Sequence, residues 1–219
     1  FGMTKINGLQ VIIDVETAMH FGWSPRGLAE ACLDGGVRLL QIRAKETPSA
    51  SLLRICDDIV RTSDTYGAKV IVNDRVDLAL MCGAAGVHLG QEDFQPTVAR
   101  KLLGKDALIG LSTHSPMQVE LALQTPINYV AIGPVFETST KSTSCKPLGL
   151  EGVHWAAKKA HKSKLPIVAI GGISLEKARG VFESGADAVA IISDVFVGND
   201  PADRVRKYLD IFRPNPLLR

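Results

Sequence analysis

Val37-Arg-Leu-Leu-Gln-Ile-Arg-Ala-Lys45 opens as an apolar run and ends in an amide, a guanidinium and an ammonium group. It is too short for a typical helix and too apolar for a half-exposed strand. It reads as a strand covered on both faces whose tip carries chemistry. Seven further stretches follow the same plan: Leu9–Asp14, Lys69–Asn73, Gly86–Leu89, Ala107–Leu111, Tyr129–Ile132, Ile167–Ile170 and Ala188–Ile192. Most exit into glycine or polar residues: Asn73-Asp74, Gly90-Gln91-Glu92-Asp93, Ser112-Thr113-His114, Gly133-Pro134, Gly171-Gly172 and Ser193.

Helical patterns fill the intervals. Ser24-Pro25 supplies an N-cap and a first-turn proline to a helix that stops at Gly35-Gly36, and Pro48–Tyr66 stops at Gly67. Arg75–Cys82, Gln95–Leu103, Ser115–Gln124, Leu150–His161, Ser174–Ser184 and Pro201–Phe212 complete the set. Eight strand-helix repeats within 219 residues predict an α/β fold, a single (β/α)8 TIM barrel over residues 1–212, with 213–219 as a frayed tail. The C-terminal ends of such strands form the reactive face, and the chemically useful residues here fall at those ends.

Composition narrows the partners. The chain is 46% hydrophobic and 22% charged with a net charge of +2, which offers no electrostatic grip on nucleic acid or an anionic membrane. No apolar run approaches the ~20 residues of a spanning helix, and no signal-peptide pattern opens the chain. Cys32, Cys56, Cys82 and Cys145 form no CxxC pair, and the first three sit among apolar helical residues, so they read as free thiols in the cytoplasm or an equivalent reducing compartment. His20, His88, His114, His154 and His161 lack zinc spacing. Small-molecule substrates are the expected partners, and a homo-oligomer is compatible with this composition.

Gln41, Arg43 and Lys45 alternate along one strand and its exit and therefore share a face, while Ile42 takes the other. An amide, a fork and a point charge suit an anion with several oxygens; salt bridges to barrel carboxylates are the competing use. Asp74 and Asp93 leave neighbouring strands, and two such carboxylates around one point call for a cation, Mg²⁺ by their oxygen chemistry. Asp74 alternatively caps the helix that follows. Gly171-Gly172-Ile173-Ser174 with Ile192-Ser193 forms a second anion site of the kind that holds phosphate on backbone N–H groups. Glu137–Gly149, far longer than the usual connection, is rich in hydroxyls and lysines and reads as a mobile segment that an anionic ligand orders, or else as a solvated loop. His88 and His114 stand at strand exits, either as acid-base groups or as hydrogen-bonded structural ones. Two anion sites at one mouth, the more cationic one with a metal, describe a transferase that uses a diphosphate-activated electrophile.

At these residues the chain resembles the thiamine phosphate synthase family over essentially its whole length. The matching stretches are Gln41-Ile-Arg-Ala-Lys45, Val72-Asn-Asp-Arg-Val-Asp-Leu-Ala79, Gly86-Val-His-Leu-Gly-Gln-Glu-Asp93, Ser112-Thr-His114, Tyr129-Val-Ala-Ile-Gly-Pro-Val-Phe136, Thr138-Ser-Thr-Lys141, Ala169-Ile-Gly-Gly-Ile173 and Ile192-Ser193. The resemblance implies coupling of hydroxymethylpyrimidine diphosphate to hydroxyethylthiazole phosphate, giving thiamine phosphate and diphosphate through a dissociative mechanism. It implies that Gln41, Ile42, Arg43, Ala44, Lys45, Asn73, Ser112 and Lys141 contact the pyrimidine diphosphate, with Arg43, Lys45 and Lys141 carrying the catalytic charge. Asp74 and Asp93 would hold Mg²⁺. Thr138, Ser139, Thr140, Gly172, Ile192 and Ser193 would hold the thiazole phosphate.

Three departures stand out: Ala44 where an acidic residue is usual, Gln10 where an aromatic often sits, and the extra stretch Ser142–Lys146. Ala44 points away from the cationic face; Gln10 bears on packing or on the pyrimidine pocket. Two rivals are a thiazole tautomerase-like isomerase and a non-catalytic thiazole- or thiamine-phosphate-binding protein. An isomerase has no use for the whole set Arg43, Lys45, Asn73, Asp74, Asp93 and Lys141.

Overall fold

A computed structural model describes residues 6–138 and 145–212. Eight parallel strands close into a barrel in sequence order: β1 Gly8–Asp14, β2 Leu39–Arg43, β3 Lys69–Asn73, β4 Gly86–Leu89, β5 Leu108–Thr113, β6 Tyr129–Ile132, β7 Ile167–Ile170 and β8 Ala188–Ile191. The fold is the TIM barrel expected from the repeats. Among the described residues the helices are α1 Val15–His20, α2 Pro25–Asp34, α3 Ser49–Thr65, α4 Val76–Met81, α5 Pro96–Leu103, α6 Pro116–Ala122, α7 Gly149–Lys162, α8 Leu175–Glu183 and α9 Pro201–Phe212, with one 3-10 turn at Ser193–Phe196. The expected frayed tail, 213–219, lies outside the described residues.

Helix α1 and the 3-10 turn are additions to the sequence reading. Asp14 ends β1 and caps α1, its Oδ1 accepting from the Thr17 N–H at 3.0 Å and the Thr17 hydroxyl at 2.6 Å. Six residues are too few to show helical periodicity, so only the cap could have announced this helix. As read from the sequence, Ser24 caps α2 by accepting from the Gly27 N–H. Cys32 and Cys56 are buried thiols, as their apolar helical surroundings suggested. No helix among the described residues is long and apolar enough to cross a membrane.

Alternation along each strand divides the core in two. Val11, Ile13, Leu40, Ile42, Val72 and Val87 face outward into the large apolar layer beneath the helices. Ile12, Leu39, Ile71, Leu108, Tyr129, Ala131, Val168, Ala188 and Ala190 fill the barrel itself. The strand register stacks these inward side chains in levels drawn from alternate strands. Gln10, Ile71, Gly110 and Val168 share one level; Gln41, His88, Ala131 and Ala190 lie above it. Ile12, Asn73, Ser112 and Ile170 come next, and Arg43, Gly90, Gly133 and Ile192 form the mouth. The interior thus changes from apolar to polar toward the C-terminal ends of the strands. Gly110 has to be glycine, because a Cβ there would stand 2.0 Å from Cζ of the fully buried Tyr129 ring.

Candidate active site

The β1–β4 side of the mouth is built from paired charges. Arg43 Nη1 donates to Asp14 Oδ2, and Lys45 Nζ reaches Asp74 Oδ2 at 2.5 Å. Both basic groups therefore carry the salt bridges that the sequence allowed as their alternative use, and each still lies at the strand tips. Glu16 holds the exit of β2, its carboxylate accepting from the N–H groups of Lys45 and Glu46 and from the Thr47 hydroxyl. Burial pushes the Glu16 carboxyl up, but these donors outweigh it and hold the group below its ordinary range.

Asp74 does not cap α4. Its backbone is left-handed, with φ 63°, its N–H donates to the His88 carbonyl, and Arg75 takes the capping position without a side-chain bond. The turn brings the carboxylate beside Asp93. Burial raises the Asp74 carboxyl, yet hydrogen bonds from Lys45 and Asp93 prevail and hold it low. Burial and the neighbouring Asp74 hold Asp93 above its usual range, opposed by the Gly90 N–H that donates to Asp93 Oδ2 at 2.7 Å. The Lys45 ammonium group rests against Asp74, and Asp93 lies beside that carboxylate. Two carboxylates this close repel one another, and a divalent cation would balance them. The donor set fits Mg²⁺: two carboxylates, with room left for water and phosphate oxygens. No cluster of three or more His, Cys, Asp or Glu side chains among the described residues forms a closed metal cage.

The remaining expected contacts on this side divide by face. Gln41 is buried on the inner face one level beneath Asn73 and Ser112. Ile42 lies in the outer core and Ala44 packs against it, so at those two positions only the backbone is available to a ligand. His88 is deeper than its place at a strand exit suggested. Its Nδ1 lies 2.8 Å from the Tyr129 hydroxyl and its Nε2 2.8 Å from Ser112 Oγ. His114 is structural, with Nδ1 at 2.6 Å from the Gly133 carbonyl.

The β7–β8 side is a cleft of ≈ 350 Å³ lined by Thr138, Gly171, Gly172, Ile173, Ser174, Ile192, Ser193 and Asp194, neutral overall because Asp194, its one charged lining residue, is paired with Arg204. Gly171 and Gly172 have φ of 102° and 62°, and a Cβ on Gly172 would lie 2.2 Å from the Glu137 carbonyl oxygen. These glycines let the chain turn back and expose backbone to a ligand. Behind the cleft, Arg204 of α9 forks onto Asp194, and the Tyr208 hydroxyl donates to Asp194 Oδ2 at 2.6 Å. Tyr208 Oη also lies 3.2 Å from the Ile173 carbonyl, so α9 ties the two lips together.

The long β6–α7 connection is clamped at its base between these sides. Val135 and Phe136 donate to the carbonyls of Ile170 and Gly171, while Leu148 and Gly149 donate back to Pro134 and Val135. Thr138 reaches the neutral cleft. Ser139, Thr140 and Lys141, expected to contact ligand, lie outside the described residues, as does most of the stretch Ser142–Lys146. Sequence reasoning missed Asp14, Glu16 and the Arg204–Tyr208 pair; only the Asp-x-x-Thr cap at Asp14 left a local trace.

A TIM barrel with a charged rim and a separate glycine-lined cleft at one mouth has the layout of a phosphate-handling enzyme. Comparison with known proteins makes that particular. The thiamine monophosphate synthase family model matches residues 16–195. The thiamine-phosphate synthase of Caldicellulosiruptor saccharolyticus is 39% identical over 186 residues, 85% of this chain and 83% of the relative. That of Lawsonia intracellularis is 38% identical, covering 82% of each chain. The solved thiamine phosphate pyrophosphorylase from Pyrococcus furiosus superposes with a TM-score of 0.83 at 30% identity, over 93% of this chain and 94% of that one. The chain belongs to the thiamine monophosphate synthase family and is a transferase.

Proposed function

We propose that the mouth joins hydroxymethylpyrimidine diphosphate to hydroxyethylthiazole phosphate and releases diphosphate. The observation that carries this reading is the pairing, at one barrel end, of a cationic rim with a separate neutral phosphate cradle. Arg43 and Lys45 would exchange Asp14 and Asp74 for diphosphate oxygens, and Lys141 would join them from the β6–α7 connection. Asn73 and Ser112 line the level below, Gln41 the one beneath that, and all three would orient the pyrimidine. Thr138, Ser139, Thr140, Gly172, Ile192 and Ser193 would fix the thiazole phosphate. Asp74 and Asp93 would hold Mg²⁺, which supplies positive charge beside the leaving group.

The chemistry asks little else of the protein. The C–O bond to diphosphate breaks with its electron pair leaving on oxygen, and a pyrimidine-methyl cation remains. The thiazole nitrogen lone pair then forms the C–N bond and becomes a thiazolium. No proton moves at the reacting atoms, which matches a site whose nearby histidines, His88 and His114, are both engaged in hydrogen bonds to protein groups. Neutralising the leaving group and aligning two substrates are the tasks left to the protein.

Incubation with both substrates and Mg²⁺, omitting one component at a time, tests the reading. Thiamine phosphate should form only in the complete mixture. Turnover of a thiazole isomer alone would point to the isomerase, and tight binding of thiazole phosphate without product would point to the binding protein.

A further inference from the structure

Beneath the mouth, polar side chains run down the barrel where apolar packing would be expected. Gln10 is 1% exposed, and its amide nitrogen reaches no partner at hydrogen-bond geometry. It is one of only two such buried side-chain atoms among the described residues, the other being Ser63 Oγ. Tyr129 rises from the level below across Gly110, and its hydroxyl stands 2.8 Å from His88 Nδ1. His88 Nε2 in turn stands 2.8 Å from Ser112 Oγ, at the level that meets the ligand. Gln91 Nε2 fixes the same serine's backbone, donating to its carbonyl at 2.6 Å.

The direction of the protons in this column follows from its lower end. Burial pushes the Tyr129 phenol far above its ordinary range, and the nearby Gln10 amide opposes that shift, which places a donor beside the phenol oxygen. A buried amide N–H without a partner is costly, and the Tyr129 phenol is an acceptor beside it. A phenol oxygen that accepts from the Gln10 amide turns its one O–H toward His88 Nδ1. Nε2 then carries the ring proton and donates to Ser112 Oγ. Ser112 is left with its own O–H directed outward.

We propose that Gln10, Tyr129 and His88 are positioning residues that form a one-way hydrogen-bond chain, fixing Ser112 as a donor toward an acceptor nitrogen of the substrate ring. The inference rests on the reading of this mouth as the pyrimidine pocket. An aza-nitrogen accepts and does not donate, so a serine locked as a donor selects it over a ring N–H or C–H. Ser112 lies one level beneath Arg43, on the ring side of the cationic rim rather than within it.

Long-range ¹H–¹⁵N spectra of ¹⁵N-histidine-labelled protein without ligand test the chain directly. His88 should show a protonated Nε2 and an accepting Nδ1, and Gln10→Met should bring in the other tautomer. Kinetically, Gln10→Met should raise KM for the pyrimidine diphosphate by about tenfold, the scale of one hydrogen bond, and leave KM for the thiazole phosphate unchanged. That loss should vanish in a Ser112→Ala background, since the chain acts only through Ser112. A wild-type His88 protonated at Nδ1 and accepting at Nε2 overturns the proposal, as does a Gln10→Met loss of equal size in both backgrounds. Should Gln10→Met fail to fold, Tyr129→Phe, which removes one oxygen, takes its place in both measurements. A protein that forms no thiamine phosphate but keeps the Nε2–H tautomer defeats the functional reading alone, because the spectra need no substrate.

Discussion

The two sides of the barrel mouth solve different electrostatic problems. Over β1–β4, Arg43, Lys45, Asp14, Asp74 and Asp93 form alternating charges that hold one another in place. Over β7–β8, the cleft is walled by glycine backbone, small hydroxyls and isoleucine, and its one charged lining residue, Asp194, is neutralised from behind by Arg204. A phosphate that stays bonded throughout needs only an unchanging cradle of N–H groups. A diphosphate that departs gains charge as its bond breaks, so the groups beside it must be strong and already oriented. Internal ion pairs keep the rim ordered before substrate arrives, and the neutral cradle has no such need.

The sharpest way to break that contrast is to remove a charge. Asp93→Ala should lower kcat on the order of 10³-fold, with the loss growing at limiting Mg²⁺; near wild-type turnover at low Mg²⁺ would show that the carboxylate pair does not hold the ion. Lys141→Ala should slow diphosphate release by roughly 10²-fold in single-turnover assays while sparing thiazole phosphate affinity. The reverse pattern would move Lys141 to the neutral side. Gly172→Ala attacks the cradle, since it adds a methyl against the Glu137 carbonyl at a left-handed backbone position. It should raise KM for thiazole phosphate about tenfold and leave the pyrimidine diphosphate KM alone.

Smaller effects sharpen how each side is supported. Tyr208→Phe unties the lips of the cleft and should cost about 1 kcal/mol of stability in denaturant titration, with a modest rise in thiazole phosphate KM. Glu16 has a folded-state pKa below its unfolded value, so its stabilisation is present above the ordinary glutamate range and is lost as pH falls through the lowered folded value. Thermal melts should therefore show Glu16→Gln narrowing the gap between neutral and acid stability, and an unchanged acid slope would remove Glu16 as a brace of β2.

The repeat pattern was plain in the sequence because each strand is a short apolar run closed by turn chemistry, and four of them matched to the residue: Lys69–Asn73, Gly86–Leu89, Tyr129–Ile132 and Ile167–Ile170. The alternation of Gln41, Arg43 and Lys45 also survived, since side-chain direction along a strand is a local property. His88 was misjudged in depth: a strand exit by count, it lies two levels beneath Arg43 once register tilts the levels. Asp74 kept its place near Asp93 but lost its capping alternative, because its backbone turns left-handed.

Local chemistry, read residue by residue, determined the strands, the helices between them and the polar character of their tips. What only closure of the barrel decided is which tips meet. Arg43 finds Asp14 and Lys45 finds Asp74, each 29 residues away, and Gln10, Tyr129, His88 and Ser112 align although they come from four different strands. The physical reason is that the stagger between strands is a property of the whole closed sheet, so levels shared by alternate strands exist only after the last strand pairs with the first.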